Sequence, residues 1–150
     1  ADNDMIDKGE ATALWEAVGE GRVEEVQKLI GDGADTEARE GWMEWTALLS
    51  AVDSHQDAVV KALLDSKADV SARTAEGRTP LFLAVEESES PHSLVKLLLE
   101  HGADASAGRD NGETPLHFSA RRGNERVVAL MLEHGADASA QTDSGKTPIH

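Results

Sequence analysis

Asn111-Gly112-Glu113-Thr114-Pro115-Leu116-His117 is the stretch from which the chain is read. Thr114 is suited to cap a helix with its hydroxyl, and Pro115 falls at the first helical position, where a missing amide hydrogen costs nothing. Leu116, Ser119 and Ala120 then share one helical face, with small residues that allow a neighbour to approach closely. Gly123 ends that helix and permits a reversal. The pattern predicts a second helix from about Glu125 to His134, apolar at Val127, Val128, Met131 and Leu132. Gly135 is placed to close it in a left-handed conformation. Residues 136–146 are expected to form an extended loop turning at Asp143-Ser144-Gly145.

The same unit recurs along the chain. The threonine before each first helix stands at Thr12, Thr46, Thr79, Thr114 and Thr147, spaced by 34, 33, 35 and 33 residues. A second landmark keeps the same period: Gly33-Ala34-Asp35, Lys67-Ala68-Asp69, Gly102-Ala103-Asp104 and Gly135-Ala136-Asp137. Helices this short are not stable alone, so each unit must bury its apolar stripe against the next.

These residues resemble the ankyrin repeat family, whose unit is a turn plus two antiparallel helices. The resemblance covers residues 10–150. Thr114-Pro115-Leu116-His117 is complete, Thr147-Pro148-Ile149-His150 nearly so, and Thr79-Pro80-Leu81-Phe82 loses only the histidine, while Thr46-Ala47-Leu48-Leu49 and Thr12-Ala13-Leu14-Trp15 match less well. It implies an all-α repeat solenoid, an ankyrin-type stack of helix-turn-helix units joined by β-turn or hairpin loops. The expected organisation is one repeat domain over residues 1–150. Its units are 10–38 as an N-terminal cap, 39–72, 73–107, 108–140, and 141–150 as the start of a fifth. Further repeats or another domain are expected beyond His150.

Composition narrows the function. With 14 basic against 29 acidic side chains the net charge is −15, which disfavours nucleic-acid phosphate and anionic membranes and favours a basic protein or peptide. Residues 1–75 carry 7 basic and 17 acidic side chains, residues 76–150 carry 7 and 12. The absence of cysteine removes disulfides and thiolate metal sites and fits a cytoplasmic or nuclear location. Apolar runs such as Leu97-Leu98-Leu99 are too short to span a bilayer.

The resemblance places a partner-binding surface on the turn tips and the exposed ends of the first helices, along one concave side. On this chain those positions include Trp42, Met43, Trp45 and Asp53 in the second unit, and Glu76, Arg78, Glu86 and Glu87 in the third. In the fourth they are Asp110, Asn111, Glu113, Arg121 and Arg122. Trp42 and Trp45 either anchor a partner, as exposed tryptophans often do, or tuck back onto neighbouring turns. Glu86, Glu87 and Glu89 with Asp53 either receive Lys and Arg side chains or form a solvated face. For His117 and His150 the resemblance implies hydrogen bonds to turn backbone.

Motifs for chemistry are lacking. Gly145-Lys146-Thr147 mimics the end of a phosphate-binding loop, but Ala140 stands where that loop needs glycine. Asp110-Asn111-Gly112 fails as a calcium loop because Ala107 and Arg109 replace the earlier ligands. There is no Gly-x-Ser-x-Gly or His-Glu-x-x-His pattern and no tyrosine. Glu37, Ser71, Ser106 and Ser139 stand where the family often has asparagine. The expectation is therefore a non-enzymatic module without cofactor or metal that binds a peptide or protein. The alternative is a structural or regulatory segment docking within a larger polypeptide.

Overall fold

A computed structural model of the chain describes residues 13–39, 43–86 and 92–148. Its contacts divide into two compact units, residues 1–72 and 73–150, and the division coincides with a boundary expected from the repeat. Trp42, Glu87, Glu89 and His150 lie outside the described residues. The eight helices among the described residues form four successive pairs.

The first unit holds α1 (residues 13–20), α2 (Val23–Gly31), α3 (Ala47–Asp53) and α4 (Asp57–Asp65). Within it α3 packs on α4, and α2 on α4. The buried sides of the four helices are apolar: Leu14, Val18, Val26, Leu48, Leu49, Val59, Val60 and Leu63 are all at most 1% exposed. Thr46 caps α3, its hydroxyl accepting the Leu49 amide at 3.3 Å. The helix of this repeat that ends at Asp65 lacks glycine after it. Lys67 takes the left-handed conformation instead, at φ 71, and donates its amide to the Leu64 carbonyl while Ala68 donates to Leu63. An L side chain there costs roughly 1–2 kcal/mol.

The second unit holds α5 (Pro80–Glu86), α6 (His92–Glu100), α7 (Pro115–Arg122) and α8 (Glu125–Glu133). Here α5 packs on α6 and α7, and α8 on α6 and α7. Thr114 caps α7 as its sequence context predicts, Pro115 opens the helix, and Gly123 ends it at φ 75. The second helix stops one residue earlier than predicted, with His134 as its cap, and Gly135 follows at φ 87.

Before α5, before α7 and after α8 the chain makes the same tight turn. The Thr74 amide donates to the Arg78 carbonyl, Arg109 to Glu113 and Thr142 to Lys146, each at 2.9 Å. Successive turns are joined edge to edge, Asp110 donating to the Glu76 carbonyl at 3.4 Å and Asp143 to Asn111 at 2.9 Å. Gly77 makes this approach possible, since a Cβ there would lie 2.5 Å from Asp110 Oδ1.

Candidate protein-interaction surface

His117 fixes the turn edge of the second unit to its helices. Its Nδ1 accepts the Thr114 amide at 3.1 Å and lies 2.8 Å from the Thr114 hydroxyl. Nε2 therefore carries the proton and donates to the Lys146 carbonyl at 2.9 Å. The ring is 6% exposed, and both nitrogens are committed to holding backbone. This is the turn contact that the resemblance implies for the signature histidine.

Side chains immediately before the capping threonine and seven residues after it meet across the turn and first helix. In one repeat Arg78 Nη1 donates to both oxygens of Glu86, at 3.1 and 2.9 Å. In the next repeat the same two positions carry the opposite charges, and Arg121 Nη1 donates to Glu113 Oε2 at 2.9 Å. Burial weighs against the Arg78 charge, but the hydrogen bond and charge of Glu86, aided by Glu76, outweigh it and raise the guanidinium pKa. Glu76 is held below the ordinary carboxylate value, chiefly by its own backbone amide and then by the Thr74 hydroxyl. Glu113 is 7% exposed. Its second oxygen makes no aligned hydrogen bond, and Arg109 Nη2 stands 3.4 Å from it. A buried carboxylate needs such counter-charges to remain ionised.

Two aromatic rings underlie this polar layer. Phe82 and Phe118 meet edge to face with centroids 5.8 Å apart. The Arg109 guanidinium lies 5.4 Å from the Phe82 centroid, and Arg121 and Arg122 lie 4.9 and 5.0 Å from that of Phe118. Beside them is a cleft of about 420 Å³ whose walls include Glu113, His117, Ala120, Arg121 and Lys146. Sequence reasoning missed Arg109, Phe82, Phe118 and Lys146. Lys146 occupies the position before Thr147 that Arg78 and Glu113 occupy before their own threonines, so the repeat register was the signal available for it.

The expected site residues divide accordingly. In the second unit Arg78 and Glu86 are joined, with Glu76 3.4 Å from Arg78, and Glu113 is joined to Arg121. Asp110 and Asn111 are exposed at a turn tip, where Asn111 Oδ1 accepts the Glu113 amide at 2.9 Å. Arg121 and Arg122 are exposed. Glu86 does not act as an open receptor for basic side chains, because Arg78 already occupies both of its oxygens. In the first unit Asp53 is exposed and Met43 half-buried. Trp45 corrects an expectation: at 7% exposure it is part of the core, and its carbonyl accepts the Trp15 indole N–H at 3.2 Å. It has too little free surface to anchor a partner, and burial of so large a ring stabilises the unit instead.

Among the described residues no group of three or more His, Asp or Glu side chains is placed to hold a metal ion, and no helix is long and apolar enough to cross a membrane. Comparison with known proteins found the family model for ankyrin repeats, in three copies, matching residues 1–74 and 81–150. A segment of 73 residues, 49% of the chain, is 38% identical to the 2-5A-dependent ribonuclease of Mus musculus. Another of 57 residues, 38% of the chain, is 44% identical to the mitochondrial disaggregase of Bos taurus. The matches span only 10% and 8% of those two proteins.

Proposed function

The chain belongs to the ankyrin-repeat family, whose repeats are generally protein–protein interaction modules, and on that premise we propose that it binds a basic peptide or protein across its turn tips and first helices. The observation that carries this reading is the charge of residues 1–72, which hold 6 basic and 17 acidic side chains for a net −11. The cations there are partly spent internally: Arg22 pairs with Glu20 and Glu25, and Lys61 with Asp65. Glu16, Glu24 and Asp32 stand exposed. Such a field accelerates encounter with a cationic partner and rejects anionic ones. Turns already tied by backbone hydrogen bonds need little further ordering on binding, which lowers its entropic cost. The concave face that the resemblance implies is the proposed side of approach.

We further read the chain as non-catalytic, since an interaction surface needs no reacting group, and as cytoplasmic or nuclear, for which a cysteine-free composition is suited. A second reading is favoured by the relatives: in both, the matched repeats are a small part of a longer polypeptide. Repeats of this kind can dock on an adjoining domain and regulate it.

The test of the first reading is titration with a labelled Lys-rich peptide and its Gln-substituted twin, followed by fluorescence anisotropy. Affinity for the Lys-rich peptide is expected to fall several-fold as salt rises from about 50 to about 300 mM. Equal binding of the twins, or binding indifferent to salt, would overturn the preference for a basic partner.

A further inference from the structure

Resting on the reading of the chain as an interaction module, we infer that the end of α7 is a seat for a carboxylate side chain of the protein partner. One ring, Phe118, carries two guanidinium groups, Arg121 at 4.9 Å and Arg122 at 5.0 Å. Like charges sharing a ring repel each other, so the arrangement calls for an anion. Glu113 supplies only part of it. Its carboxylate is largely buried in the wall of the cleft, is shared with Arg109, and reaches Arg121 through a single nitrogen. Arg122 forms no hydrogen bond or ion pair among the described residues.

Three cations, Arg109, Arg121 and Arg122, thus lie over the paired rings of Phe82 and Phe118, and only Arg109 and Arg121 reach the Glu113 carboxylate. Arg121 and Lys146 both line the 420 Å³ cleft, which is roomy enough for an Asp or Glu side chain. Lying over the Phe118 ring restrains both guanidinium groups, and arginine recognises a carboxylate through paired N–H donors. Glu113 acts as a positioning residue, holding Arg121 at the wall of the cleft. A partner drawn in by the acidic field of residues 1–72 would then be recognised in the second unit through an acidic side chain of its own.

The experiment follows the arginine side-chain N–H signals of the full chain by NMR. The probes are a capped Ser/Gly peptide carrying two adjacent glutamates and its diglutamine twin. The diglutamate peptide is expected to shift the Arg121 and Arg122 signals and the diglutamine peptide to leave them in place. In an Arg121→Gln, Arg122→Gln chain its affinity should weaken roughly threefold to tenfold. Arg122→Gln alone removes no internal ion pair, and its denaturation midpoint, read by circular dichroism, separates loss of binding from damage to the fold. Equal response to the two probes, or diglutamate binding untouched by the double substitution, would overturn the inference. Diglutamate binding by a chain that ignores the Lys-rich peptide would reject the basic-partner reading and leave the carboxylate seat standing. The reverse result would do the opposite.

Discussion

The residue before the capping threonine is Trp45 in the first unit and Arg78 or Glu113 in the second, and this single repeat position has been put to two uses. Trp45 is inside, with its carbonyl holding the Trp15 indole. Arg78 and Glu113 instead reach across to the residue seven places beyond the threonine, Glu86 and Arg121, in pairs of reversed polarity. A position whose side chain has no part in holding the backbone frame can thus be spent on core or on a charged surface. The backbone frame survives either choice because the threonine cap is present in both, on Leu49 in one repeat and His117 in the other.

The comparison breaks most visibly at Trp45. Trp45→Ala should destabilise the first unit by about 3–5 kcal/mol through the cavity it leaves, read as a lower denaturant midpoint by circular dichroism. A loss under about 1 kcal/mol would return Trp45 to the surface and erase the contrast. Next in size is the charge pair. Arg78→Glu sets a third carboxylate beside Glu76 and Glu86 and should cost about 1–3 kcal/mol. Adding Glu86→Arg should recover about 1 kcal/mol of that in a double-mutant cycle, since the exchanged pair would then match the polarity of Glu113 and Arg121. A strictly additive cycle would mean that the pairs are incidental. The smallest effect concerns the helix end. Lys67 holds at φ 71 the place that Gly135 holds at φ 87, so Lys67→Gly should raise stability by about 0.5–1 kcal/mol, the relief of left-handed strain exceeding the added chain entropy. Thermal melting would measure it, and a lower midpoint would show that Lys67 is not strained.

Legibility in the sequence followed the range of the forces involved. Thr114, Pro115, Gly123 and Gly135 act on backbone within a few residues of themselves, so their roles were readable from spacing. The partners of Arg78 and Arg121 lie eight residues away, across a turn and a helix, and no local pattern joins them. The aromatic pair beneath was hidden for the same reason: Phe82 looked like a lost signature histidine, and only packing shows that its ring faces Phe118 and Arg109. Trp45 illustrates the opposite hazard. A tryptophan in a polar turn reads as exposed unless one knows which way the turn folds.

Taken alone, the amino-acid order determined the repeat, its two helices, its caps and the excess of negative charge, because each depends on residue type and near neighbours. Only the tertiary structure decided which charges are spent on one another and which stay available, because ion pairing and burial depend on distances between residues that the chain brings together only on folding.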